Sequence, residues 1–68
     1  MFCYKVTFED NKPTKTQFVS KIEASKRLEF RREQGQVVID SFYVEAMSEA
    51  EALEFAGNMI AILAPQHH

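Results

Sequence analysis

The 68-residue chain is long enough for one domain, and its net charge of −2 argues against general electrostatic attraction to nucleic acids. Its apolar content of 46% excludes a chain that is disordered throughout. Its single cysteine excludes an internal disulfide. Because a domain of this size buries only about 60% of the surface that its unfolded chain exposes, association with another chain is an open source of stability.

The N-terminal part of the sequence predicts two strands. Residues 2–9 alternate between apolar and polar side chains, which is the pattern of a half-buried strand. Asp10 and Asn11 then favour a turn, because both residue types tolerate a left-handed backbone. The segment 15–20, "KTQFVS", predicts a short second strand at a sheet edge.

Residues 20–34 fit two interpretations. Ser20 and Glu23 form a capping-box pattern, and the residues that follow are mostly strong helix formers up to Gly35. At a period of two, the apolar residues of 22–30 instead share one side, and 33–36, "EQGQ", becomes a hairpin turn. Capping and propensity favour the helix.

The C-terminal part predicts a strand followed by a helix. Residues 37–46 are rich in β-branched and aromatic residues and predict a central strand. Ser48, with Glu51 three residues later, is typical of a helix start. Pro65 ends that helix at or before Ala64, so we expect one domain over 1–64 and a frayed tail over 65–68.

These elements predict an α+β fold of order ββαβα. We expect a three-stranded, mainly antiparallel sheet with two helices on one face. The alternative is a four-stranded meander with a single C-terminal helix.

The second helix carries more apolar surface than a small sheet needs. On a helical wheel, one stripe of Leu53, Ala56, Ile60 and Leu63 is enough to pack on the sheet. A flanking stripe of Phe55, Met59 and Ile62 remains. Either the first helix covers it, or it binds a partner, since methionine and aromatic residues are enriched at interfaces. It is the predicted hydrophobic partner-binding site.

A basic cluster lies in the middle of the chain, at Lys26, Arg27, Arg31 and Arg32. Interspersed glutamates favour an ordinary solvated face. The alternatives are an acidic protein partner and a nucleic-acid backbone, with arginines on phosphates and Phe30 stacked on a base. These four residues are the predicted basic partner-binding site.

Side chains suited to catalysis or metal binding are sparse. His67 and His68 lie in the predicted tail, and Cys3 stands alone. With two glycines in the chain, no glycine-rich phosphate loop is expected. We therefore expect a protein that is not an enzyme, with no cofactor, no metal and no small-molecule substrate.

The lack of an export signal and the unpaired thiol predict a cytoplasmic location. No apolar run approaches the roughly 20 residues that span a bilayer, and the N-terminal segment lacks the pattern of a signal peptide, so no membrane association is expected. An unpaired thiol is typical of a reducing compartment.

Residues 41–56, "SFYVEAMSEAEALEFA", resemble a strand–cap–helix unit of small phage and mobile-element proteins. The resemblance is to phage inhibitors of bacterial RNA polymerase and to the N-terminal domain of HicB-type antitoxins. It rests on residues Phe42, Val44, Ala46, Ser48, Glu51, Ala52, Leu53 and Ala56. It implies an accessory protein that acts by binding. We therefore expect a protein-binding module, acting on a host protein or forming a homodimer; the alternative is a small nucleic-acid-binding module.

Overall fold

The computed structural model describes residues 1–63, so the predicted domain end at Ala64 and the predicted tail lie outside the described residues. The elements are β1 (Phe2–Glu9), β2 (Lys12–Phe18), α1 (Lys21–Ala24), β3 (Leu28–Glu33), β4 (Gln36–Ala46) and α2 (Glu49–Leu63). The α+β class is confirmed, and the element order is ββαββα.

The four strands form one antiparallel sheet in the order β2-β1-β4-β3. The expected three-stranded sheet is wrong. The four strands of the alternative are present, but not as a meander, because β1 pairs with β4 and β2 does not pair with β3. The central pair joins β1 to β4, with Tyr4 opposite Val44 and Val6 opposite Phe42. This pairing brings together segments almost 40 residues apart in sequence, and it leaves β2 and β3 at the two edges.

The predicted long helix over 20–34 is wrong beyond its first turn. Ser20 does cap a helix, because its Oγ accepts a hydrogen bond from the Glu23 N–H at 3.1 Å. That helix ends at Ala24, and Arg27 adopts a left-handed conformation with φ 62°. The chain then enters β3. Pairing with β4 therefore overrides helix propensity in this segment.

Both hairpins close through two-residue turns with left-handed backbone. Asp10 and Asn11 have φ values of 51° and 60°, and Gln34 and Gly35 have 54° and 80°. Positive φ at both central residues matches the right-handed twist of the flanking strands. The sequence signal at Asp10 and Asn11 is confirmed, and Gly35 belongs to a hairpin turn instead of a helix end.

The core lies between α2 and one face of the sheet, called here the helix-side face. Tyr4, Val6 and Phe8 of β1 are buried there with Ile39 and Ala46 of β4. From α2, Ala52 and Ala56 are buried in the same cluster. Alanine at these two positions lets the helix backbone approach the sheet closely.

The start of α2 shows a capping box displaced by one residue. Ser48 Oγ accepts a hydrogen bond from the Glu51 N–H at 3.2 Å, as the sequence predicts. The Glu51 carboxylate accepts from the N–H of Met47 at 3.1 Å. Both bonds fix the angle at which the chain leaves β4 and turns back over the sheet.

Candidate partner-binding surface

The helix-side face is only partly covered by α2. This helix packs on β4, β2 and β1, and β3 lies beyond its main contacts. Besides the buried Ile39 and Ala46 and the exposed Arg32, β3 and β4 present five apolar side chains on this face, called here the shelf: Leu28, Phe30, Val37, Phe42 and Val44. Four of them are half-buried, and Phe30 is 53% exposed. An apolar strip therefore runs beside the helix.

The direction of β4 decides which side of α2 borders the shelf. The Tyr43 N–H donates to the Arg27 carbonyl on the β3 side, so Val44 directs its backbone groups toward β1. Consider the sheet seen from α2, with β4 running upward. The chirality of L-residues then puts β1 to the right of β4 and β3 to its left. Because α2 starts near the upper end of β4, it runs downward.

The hydrophobic stripe predicted from the sequence lies on the shelf side of α2. Relative to the buried Ala56, a right-handed helix running downward turns Phe55, Met59 and Ile62 toward β4 and β3. Met59 is half-buried, Phe55 is 38% exposed and Ile62 is 71% exposed. The stripe and the shelf are thus two walls of one apolar surface.

The sequence pattern predicted the α2 stripe of this surface but not the shelf on β3 and β4. In the predicted helix over 20–34, Leu28 and Phe30 have no common partner. The period-two pattern places both on one side of a strand, and it was the signal that could have found them. The predicted cover from the first helix is absent from the described structure, because α1 has four residues and packs on β1.

The predicted basic residues do not form one face. Arg31 and Arg32 are neighbours in β3, so their side chains lie on opposite faces of the sheet. Arg31 is paired with Glu33 at 3.1 Å and with Asp40, and these carboxylates raise its pKa. Lys26, Arg27 and Arg32 are exposed. A helix over 20–34 would place Arg27 and Arg31 one turn apart; in the structure Arg27 precedes β3 and Arg31 lies within it.

A hydrogen-bonded cluster occupies the opposite face. Tyr43 donates its hydroxyl to Glu29 Oε1 at 2.7 Å, and Ser41 donates to the same oxygen at 3.1 Å. The Tyr43 and Ser41 bonds lower the pKa of Glu29, and the Glu29 bond together with burial raises the pKa of Tyr43 to about 12. At neutral pH Glu29 is therefore ionised and Tyr43 protonated, so the cluster ties β3 to β4 without exchanging a proton.

A shallow cavity of about 460 Å³ opens at the end of the shelf, where β3 has not yet begun and β4 continues. Its lining residues come from α1, the loop after it and β4: Lys21, Ala24, Ser25, Arg27, Phe42, Tyr43, Val44 and Glu45. Two shelf residues, Phe42 and Val44, are among them. The cavity extends the apolar surface to the sheet edge, and its rim carries two cations, Lys21 and Arg27, together with Glu45.

The described residues contain neither a metal-binding cluster nor a membrane-spanning helix. Residues 1–63 contain no group of three or more histidine, cysteine or acidic side chains placed to hold a metal ion. No helix among these residues is long and apolar enough to cross a bilayer. Comparisons with protein-family models, curated proteins and solved structures found no match for this chain.

Proposed function

We propose that this protein is a non-enzymatic binding module that takes a partner protein on the apolar surface formed by the α2 stripe and the shelf. The observation that carries the proposal is the incomplete cover of the helix-side face by α2. It leaves Phe30, Phe55 and Ile62 exposed on one side of the molecule. The resemblance to phage and mobile-element proteins supports a cytoplasmic host protein as the partner.

The width of the uncovered strip indicates what fits it. A helix is about 10 Å wide, and neighbouring strands lie about 4.8 Å apart, so one helix covers about two strands. The sheet has four strands, and α2 packs on three of them toward one edge. The remaining strip is narrower than a whole helix, so it takes one extended segment or one side of a helix that extends past the β3 edge. A partner helix laid beside α2 would restore a complete two-layer packing.

The exposed apolar side chains supply part of the energy of association. Full burial of a large apolar side chain contributes about 1.5–3 kcal/mol. Because Phe30, Phe55 and Ile62 are 53%, 38% and 71% exposed, their burial supplies about 2–5 kcal/mol, near the lower limit of the association cost of about 4–15 kcal/mol. Contacts with the half-buried shelf residues must supply the rest. The exposed cations at the rim, Lys21 and Arg27, favour acidic residues flanking the apolar contacts of the partner.

A pair of double variants tests this surface. Phe55→Ser/Ile62→Ser removes the exposed part of the stripe, and Glu54→Ser/Asn58→Ser places the same residues on the solvent side of α2. Both pairs lie at exposed positions, so circular dichroism should show a folded protein in each case. Quantitative affinity capture from host extract, with mass spectrometry, should give a partner that wild type and the control retain and the stripe variant loses. A partner retained equally by all three proteins would overturn the proposal.

The nucleic-acid alternative is tested in the same preparation. Labelled single- and double-stranded oligonucleotides are titrated at low and physiological salt, because phosphate contacts weaken steeply as salt rises. We expect no specific complex at physiological salt. Tight binding that survives there, and disappears on charge reversal of Arg27, Arg31 and Arg32, would replace the protein-binding proposal.

A further inference from the structure

The two edge strands of the sheet differ in the features that prevent pairing with a strand of another chain. The β2 edge carries Pro13 and two lysines, and its pairing with β1 is irregular between Thr7 and Phe8. Proline and lysine are common means of blocking edge-to-edge association. The β3 edge, with the sequence LEFRRE, contains no proline. Phe30, 53% exposed, lies in the middle of this strand.

Backbone groups of β3 point outward at every second residue. Glu29 lies opposite Ser41 and directs its N–H and C=O toward β4, so the backbone groups of Leu28, Phe30 and Arg32 point away from the sheet. The Leu28 N–H already donates a hydrogen bond to the Lys26 carbonyl at 2.7 Å. The Leu28 carbonyl and both backbone groups of Phe30 and of Arg32 face outward for another strand.

The charges along β3 are complementary to those of a second, antiparallel copy of β3. At alternate positions the residues are Glu29, Arg31 and Glu33 within the strand and Arg27 directly before it, where the backbone is left-handed. When two copies of β3 run antiparallel with Phe30 opposite Phe30, Glu29 lies opposite Arg31 and Arg27 lies opposite Glu33. Opposite charges at facing positions stabilise a strand pair, and like charges destabilise it.

The neighbouring registers are disfavoured by the same charges. Centring the pair on Glu29 sets two Glu29 carboxylates against each other and Arg27 against Arg31. Centring it on Arg31 opposes two arginines and sets Glu29 against Glu33. The Phe30 register is the one of these three in which every charged facing pair is attractive.

We propose that the β3 edge pairs with β3 of a second copy of this chain, about a two-fold axis at Phe30. About four backbone hydrogen bonds join the copies: a reciprocal pair at Phe30, and the Arg32 N–H of each copy donated to the Leu28 carbonyl of the other. The two sheets become one continuous sheet of eight strands, from two four-stranded sheets, with both α2 helices on the same face. Because Pro13 and the lysines of β2 disfavour strand pairing at the other edge of the sheet, association stops at the dimer.

This inference goes beyond the proposed function, since it concerns the sheet edge and not the α2 stripe. Arg32→Pro removes an outward N–H, which an edge strand tolerates, and should leave a folded monomer. Thr16→Pro is the matched control on the β2 edge, where the residues of the helix-side face also point their backbone groups outward. Sedimentation velocity over a range of protein concentrations should show a dimer for wild type and Thr16→Pro.

A charge swap keeps the proposal testable if a proline variant fails to fold. Arg27→Glu sets like charges at two symmetry-related positions and should weaken dimerisation roughly tenfold. Adding Glu33→Arg should restore it, and Arg32→Glu, with the same change in charge, should have little effect. A monomeric wild type, or equal effects of Arg27→Glu and Arg32→Glu, would overturn the dimer. The Phe55→Ser/Ile62→Ser variant should dimerise like wild type, so the two proposals fail separately.

Discussion

The side chain of Asn11 takes the place of a neighbouring strand in hydrogen-bonding to β4, so its removal should lower the stability of the fold. The β1–β4 pairing ends at Thr7 opposite Ser41. Beyond that point, Asn11 Oδ1 accepts a hydrogen bond from the Ile39 N–H at 2.9 Å, and its Nδ2 donates to the Val37 carbonyl at 3.4 Å. Ile39 is 2% exposed, so water cannot readily replace the lost acceptor.

The magnitude follows from that burial. A buried donor left without an acceptor costs about 1–3 kcal/mol, and each kcal/mol lowers the melting temperature of a domain this small by about 4–8 °C. Asn11→Gly should therefore melt well below wild type. Glycine is the right substitution, because Asn11 has φ 60° and most side chains other than aspartate would add backbone strain.

The matched control for Asn11→Gly is Asp10→Gly, one residue earlier in the turn. Asp10 has φ 51° and an exposed side chain, so this variant makes the same backbone change without removing the bonds to β4. Thermal melts followed by circular dichroism compare the two, and amide hydrogen exchange reports on Ile39. Asn11→Asp keeps the acceptor and should fall between them. Equal loss of stability in both glycine variants, with Ile39 exchange unchanged, would refute the reasoning.

Two further predictions concern pH and the glycines. Because the Tyr43 pKa is raised from 10.0 to about 12, its bond to Glu29 should stabilise the fold fully below pH 10 and lose its contribution as pH rises through about 12. Tyrosinate absorbance should show this late titration, and Glu29→Gln should move it back toward 10.0. Gly35→Ala, at φ 80°, should destabilise by about 1 kcal/mol in urea denaturation. Gly57→Ala, inside α2 with nothing within 4 Å of the added Cβ, should stabilise by up to about 1 kcal/mol.

Elements specified by local pattern were predictable from the sequence. The first strand, predicted over 2–9, is Phe2–Glu9, and the strand predicted over 37–46 is Gln36–Ala46. Ser48 marks the start of α2 within one residue. In each case alternation, β-branching or capping points to the same state as the tertiary contacts, so local and long-range preferences agree.

The segment 20–34 was mispredicted because its local and long-range preferences conflict. Ser20 begins a helix, and its cap is present in the structure. Beyond Ala24, however, the apolar residues have no helical face to share, whereas Leu28 gains Phe42 as its partner on β4. That partner lies 14 residues further along the chain, beyond the reach of capping and propensity rules.

Because of the same error, the shelf half of the candidate surface was not predicted. With 20–34 as a helix, the stripe of Phe55, Met59 and Ile62 has a plausible cover. With β3 as a strand, that cover is gone, and Phe30 joins the exposed surface. The stripe itself was predictable because helical periodicity is local. The shelf was not, because its residues come from two strands whose pairing the sequence pattern does not specify.

The two proposed contacts complement each other through the geometry of the sheet. In the β3-paired dimer, the two α2 helices lie near β1 of each copy, five strand spacings or about 24 Å apart. Subtracting one helix width of about 10 Å leaves a trough about 14 Å wide, with both shelves as its floor and both stripes as its walls. One helix of a partner fills such a trough and touches both copies. Partner binding then stabilises the dimer, because a ligand that contacts both copies favours the associated state.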